Sequence, residues 1–301
     1  MVAIKKLIII LVISILCTNP LIAEQVKEIK GYNGLYMGHS FFWPSVRELH
    51  KIIPNTAVVG HKISHVNAGG AGGSPGKLWE KKKKRDEGQR HLNTKKIDLL
   101  VMTYFSPDNS SVEHYSKWFD YAITQNPDTT FMVTIPWSGR LYKADKARLS
   151  ELKKRCKLGL YDDLILKLRQ KYPKNKILYC PYGLGTYALI DRFKKGELPG
   201  IKYVLNSDRP TRKASKKKKE QLLNDELGHP GELVAKIGAL LWLQTLYDYN
   251  LSTLKTKRID GLPDIDFIEI AATVSKEIEP LNVVYKETKV STQNINNNSI
   301  Q

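Results

Sequence analysis

Cysteine is scarce in this chain, with only three among 301 residues, which is too few for a disulfide framework to stand in for a hydrophobic core. Long apolar runs are scarcer still. The longest covers residues 7–16, follows Lys5 and Lys6, and is short for a bilayer span. With Cys17-Thr18-Asn19-Pro20-Leu21-Ile22-Ala23 behind it, this stretch has the basic, apolar and cleavage zones of a secretory signal peptide over residues 1–23. The chain is therefore expected to be exported, to the periplasm or the medium, and not to span a membrane once processed. Cys17 invites a lipid anchor, but Leu16 stands where lipoprotein processing needs a small residue.

Acidic residues are also in deficit, 30 against 48 Lys and Arg, for a formal charge of +18. Loss of residues 1–23 removes Lys5, Lys6 and no acid, so the remainder stays strongly basic. An exported protein seldom meets nucleic acid, so the surplus points to anionic glycans, lipopolysaccharide or acidic substrates. Other signatures are missing. Lys77 follows a glycine-rich stretch without the Gly-Lys-Ser/Thr spacing of a phosphate loop. His50, His61, His65, His91 and His114 show no metal-ligand spacing, and no internal repeat is visible. No metal or organic cofactor is expected.

What is present is an alternation of short β-branched or aromatic runs with longer amphipathic stretches, the pattern of β-α-β units around a mostly parallel sheet. Five strands are expected over residues 34–37, 57–66, 97–104, 130–135 and 176–180, with Cys180 a buried strand residue. Helical spacing occupies 46–53, 112–124, 144–172 and 184–194, and a last apolar helix runs from about 231 to 249. One domain over residues 24–285 accommodates them. Two lysine-rich runs, 81–85 and 209–219, read as solvated faces or loops, and the Asn-rich residues 286–301 read as a disordered tail.

Four loops carry candidate chemistry. In Gly34-Leu35-Tyr36-Met37-Gly38-His39-Ser40-Phe41-Phe42 a strand runs into a helix through a serine, at the rim where open α/β sheets bind ligands. Ser40 is the candidate nucleophile or, more plainly, a helix cap. In Asn224-Asp225-Glu226-Leu227-Gly228-His229-Pro230-Gly231 a histidine stands just before the last helix with two carboxylates upstream. Either Asp225 or Glu226 can fix its tautomer. The glycine block from Asn67 to Gly76 allows backbone N–H groups close to a ligand. Asn109, after the third strand, offers a side-chain amide or a simple turn.

In this order the four loops resemble the blocks of the SGNH (GDSL-like) hydrolase superfamily, over roughly residues 34–245. The resemblance implies a flavodoxin-like three-layer α/β/α sandwich and esterase chemistry. Gly38-His39-Ser40-Phe41 is similar to the family's Gly-Asp/Asn-Ser block, giving Ser40 the nucleophile's role. His229 falls in the block that supplies the general base. The oxyanion would be bound by the N–H of Ser40, a glycine N–H from Gly72 or Gly73, and Asn109. Two positions depart from the family. Glu226 stands three residues before the histidine where aspartate is usual, with Asp225 one earlier. Tyr104-Phe105-Ser106 occupies the place of the family's Gly-x-Asn, so Asn109 is displaced. The implied activity is an exported serine esterase, with O-deacetylation of an acylated or acidic polysaccharide as the leaning. The rival is a glycan-binding protein that retains the fold without catalysis.

Overall fold

A computed structural model describes residues 27–205, 220–254 and 266–283. Residues 1–23, the run 209–219 and the tail 286–301 lie outside them. In chain order the strands are β1 (Ile29–Lys30), β2 (Asn33–Gly38), β3 (Val58–Val59), β4 (Lys62–Asn67), β5 (Leu99–Thr103), β6 (Thr130–Thr134) and β7 (Ile177–Cys180). The helices are α1 (Trp43–Ile52), α2 (Pro75–Glu80), α3 (Lys82–Leu92), α4 (Val112–Gln125), α5 (Lys146–Leu158), α6 (Lys167–Lys171), α7 (Gly183–Lys194), α8 (Glu232–Tyr247) and α9 (Phe267–Ile278).

The main sheet is five-stranded and parallel throughout, in the order β4-β2-β5-β6-β7. Every residue of β5, β6 and β7 is buried, as a parallel sheet covered on both faces requires. Adjacent residues of β2 show the two faces. Tyr36 stacks on Trp242 of α8, with ring centroids 6.3 Å apart. The methyl of Met37 points the other way, with Trp118 of α4, toward Gly88 of α3. One helical layer therefore includes α1 and α8, which pack together, and the other includes α3 and α4. Both sides belong to one continuous apolar core.

Two elements differ from the expected pattern. The second strand, expected over 57–66, is interrupted where Gly60 takes a left-handed φ of 77°. Its two pieces nevertheless keep one register against the first strand, Ile29 opposite Val58 and Asn33 opposite Lys62. The helix expected over 144–172 is three pieces: α5 ends at Leu158 before Gly159, a wider turn covers Tyr161–Leu166, and α6 follows. Glycine destabilises a helix interior, and here it marks the break. Helices α2, α3 and α9 were not expected. The 81–85 run lies at the start of α3. α9 carries Phe267, Ile270, Ala271, Val274 and Ile278 on its buried face, and the side chain of Asp266 caps it by accepting from Glu269 N–H.

With the main strands counted along the chain, their order is 2-1-3-4-5, so the winding direction reverses between β2 and β5. Connections leave that junction in opposite directions and open a crevice at the carboxyl ends of the strands. Ser40, two residues beyond β2, stands there.

Candidate active site

The turn after β2 is held from both sides. A β-carbon on Gly38 would stand 2.5 Å from the Phe42 ring, and one on Gly73 would stand 2.4 Å from the carbonyl oxygen of Gly38. Both glycines are thus required by close approach: the glycine turn over Gly70–Gly73 lies directly against the Gly38-His39 peptide. The next carbonyl, that of His39, accepts from the N–H groups of Phe42 and Trp43 and starts α1. The N–H of Ser40 has no partner among the described residues.

His39 fixes this turn through its ring. Nε2 lies 3.2 Å from the carbonyl oxygen of Tyr104, at the end of β5, so it carries the proton and donates. Nδ1 accepts from Phe41 N–H at 3.3 Å. Burial lowers the imidazole pKa to about 4; the Tyr104 carbonyl opposes the shift and nearby His229 adds to it. A neutral His39 with both nitrogens engaged does not compete as a base.

This has a measurable consequence for folding. Between pH 6.5 and 4 the unfolded chain takes up a proton that folded His39 refuses, so stability falls as the pH falls through that window. The share is about 2 kcal/mol between about pH 7 and pH 5. His61, half-buried and with its pKa lowered to about 4 by desolvation, contributes with the same sign. Urea unfolding of His39→Asn at the two pH values should show a smaller loss than the native chain shows, and an equal loss would contradict the assignment.

The histidine loop before α8 is closed at its base, where Asn224 N–H bonds the carbonyl oxygen of His229 and Gly231 N–H that of Leu222. Gly228 N–H bonds the carbonyl oxygen of Asp225, and Gly228 takes a left-handed φ of 91°. Asp225 Oδ1 accepts from the N–H groups of Leu227 at 3.1 Å and His229 at 3.2 Å, a local side-chain turn typical of aspartate. Its other oxygen, Oδ2, is 2.6 Å from His229 Nδ1. Across the rim, His229 Nε2 is 2.7 Å from Ser40 Oγ. Burial raises the pKa of Asp225, but the His229 ring, the two backbone donors and the nearby imidazole charge outweigh it, and the net shift is downward. An ionised carboxylate at Oδ2 makes Nδ1 the protonated nitrogen and leaves the Nε2 lone pair facing the hydroxyl.

The structure therefore brings together Ser40, His229 and Asp225. It does not bring in Glu226, which is exposed and makes no bond to the ring. The reason is the turn: residue 225 opens it and folds back over residue 229, while residue 226 sits at its outer corner. Both glycines belong to the turn over Gly70–Gly73, where Gly72 gives its N–H to the carbonyl oxygen of Gly69, and Gly73 is the one seated against the Gly38-His39 peptide. Asn109 ends a short turn after β5, where its N–H bonds Ser106 and its side chain makes no hydrogen bond among the described residues.

Sequence reasoning missed the aromatic support. Phe41 stacks on Trp137, with centroids 5.1 Å apart and planes at 10°, and meets the His229 ring edge-on at 5.2 Å. Trp137 Nε1–H donates to the carbonyl oxygen of Gly228 at 2.9 Å, tying the histidine loop to the end of β6. Trp137 lies three residues beyond that strand, at the same rim as the other loops, and that position was its signal. Among the described residues no cluster of His, Cys, Asp and Glu is placed to hold a metal, and no helix is long and apolar enough to cross a membrane.

Comparison with known proteins places the fold more firmly than the family. No family profile matches the chain, and no curated protein does. Among solved structures, a DUF4886 family protein from Bacteroides uniformis superposes with a TM-score of 0.56 at 15% identity, over 84% of this chain and 95% of that one. The periplasmic domain of a lipopolysaccharide acetyltransferase from Salmonella ser. Paratyphi A overlaps more loosely, with a TM-score of 0.35 at 16% identity over 50% of this chain and 66% of that one. At such identities the first likeness shows a shared α/β fold and nothing further.

Proposed function

We propose that this chain is a serine esterase of the SGNH type, with a flavodoxin-like α/β/α sandwich, exported and acting on an acylated substrate of the cell envelope or an acidic polysaccharide. The observation that carries the reading is the unbroken hydrogen-bonded chain from Ser40 Oγ through both nitrogens of His229 to Asp225. A hydroxyl is a weak nucleophile until a base takes its proton, and an imidazole held in one tautomer by a carboxylate is suited to do so.

In this mechanism Ser40 Oγ forms a bond to the ester carbonyl carbon as its proton passes to His229 Nε2. Asp225 stabilises the resulting imidazolium without taking the proton. The carbonyl oxygen becomes an oxyanion that accepts from the unpartnered N–H of Ser40, with the N–H of Gly73 and the amide of Asn109 as further donors. Collapse of the intermediate breaks the bond to the alcohol, which leaves with the proton from His229. Water then repeats the sequence on the acyl-serine and releases the acid. O-Deacetylation of an acidic polysaccharide is the favoured form of this reaction, in keeping with the chain's surplus of positive charge.

Turnover of a short-chain nitrophenyl ester by the native chain, lost in Ser40→Ala while the folded state is retained, tests the proposal. Equal turnover by the two, or none from the native chain across a broad panel of acyl esters, would favour the non-catalytic glycan-binding alternative.

A further inference from the structure

The cations along residues 77–87 are not equivalent. Lys77 pairs with Glu80 at 2.6 Å, Lys84 with Glu87 at 2.8 Å, and Arg85 lies 4.0 Å from Asp86. Lys81, Lys82 and Lys83 have no carboxylate within ion-pairing distance among the described residues, and of the three it is Lys81 that stands beside the glycine turn. Its side chain instead turns back over the glycine turn, with Nζ only 2.9 Å from where a β-carbon on Gly72 would stand. The missing side chain at Gly72 is what makes room for this ammonium. The next residue, Gly73, lies against the peptide that precedes Ser40. Two other rim loops carry exposed acids, Asp108 after β5 and Glu226 in the histidine loop, while the loop after β6 carries exposed Arg140. Negative charge on a bound molecule is favoured beside the glycine turn and disfavoured next to Asp108 and Glu226 themselves.

We infer that Lys81 is a specificity-determining residue that holds a fixed anion of the substrate, such as a carboxylate, against the glycine turn beside the ester attacked by Ser40. The inference rests on the esterase reading above. It goes beyond overall basicity, because it names one ammonium among many and the side of the site on which the anion lies. Lys81 takes no part in the bond-making steps, so it should act on esters carrying an anion and not on neutral ones.

Three esters separate the possibilities: neutral phenyl acetate, phenyl hemisuccinate with its carboxylate on the acyl side, and 3-acetoxybenzoate with its carboxylate on the alcohol side. Lys81→Gln is expected to lower kcat/KM for one of the two anionic esters by about fivefold, the upper range for a solvent-accessible ion pair. Phenyl acetate should be unchanged, and Lys81→Arg should retain most of the preference. Added salt should erode the native preference and leave the variant flat. If the native chain is labelled at Ser40 by a fluorophosphonate but turns over none of the three, protection of Ser40 from labelling by each anionic ester replaces turnover, with the same loss expected in Lys81→Gln. Normal labelling of Ser40 with no ester-selective effect of Lys81→Gln would overturn this inference alone. Absence of labelling in the native chain would remove the esterase reading and this inference with it.

Discussion

Asp225→Asn is expected to lower kcat about 10⁴-fold with little change in KM, whereas Glu226→Gln should stay within about twofold of the native chain. The argument follows from the bonds of Asp225. Its Oδ1 accepts from two backbone N–H groups, those of Leu227 and His229, and only Oδ2 faces the ring. An asparagine in this position must keep its carbonyl oxygen toward the two N–H groups, which turns its NH2 toward His229 Nδ1. That nitrogen must then accept, the ring proton moves to Nε2, and Nε2 no longer offers a lone pair to Ser40. The substrate's contacts are untouched, so the loss falls on kcat. Steady-state kinetics on one nitrophenyl ester with both variants checks this, and a larger loss from the Glu226 substitution would reverse the assignment of the acid.

His229→Ala should cost about 10⁴- to 10⁶-fold in kcat. Without the imidazole, the Ser40 hydroxyl has no base in contact with it, because the neighbouring His39 is neutral, buried and bonded at both nitrogens. Some rate above that in water should survive, since backbone donors around the oxyanion do not depend on the imidazole. Removing Ser40 from the His229→Ala variant should add little further loss, because groups that act as a unit are not additive. A second full loss on top of the first would show that the two residues act separately.

The alternation of apolar runs was enough to anticipate the five main strands, and from their carboxyl ends the rim on which the site lies. It did not anticipate breaks made by single residues: Gly60 interrupts the second strand by its φ, and Gly159 divides what reads by periodicity as one helix. Helix α9 has a legible pattern, apolar residues three and four apart and aspartate at its cap, but it lies beyond the last strand-helix unit, where the alternation that marks the sheet no longer points to it. At the site, Ser40 and His229 were visible because they sit at element boundaries. That Asp225, and not Glu226, lies against the imidazole was not, because this placement depends on the left-handed Gly228 and on side-chain bonds within a tight turn that residue spacing does not encode. Gly72 and Gly73 could not be separated for a similar reason, since both fit a glycine block and only the packing against Gly38 distinguishes them. The bridging role of His39 depends on contact with Tyr104, some 65 residues away in sequence, and long-range contacts of that kind leave no local pattern.

The most direct measurement is mass spectrometry of the intact protein and its peptides after treatment with a fluorophosphonate, which captures only a serine whose proton a neighbouring base removes. A single adduct on Ser40, abolished in His229→Ala, is the predicted result. An unmodified Ser40 in the folded native chain, or labelling that persists undiminished without the imidazole, would contradict it.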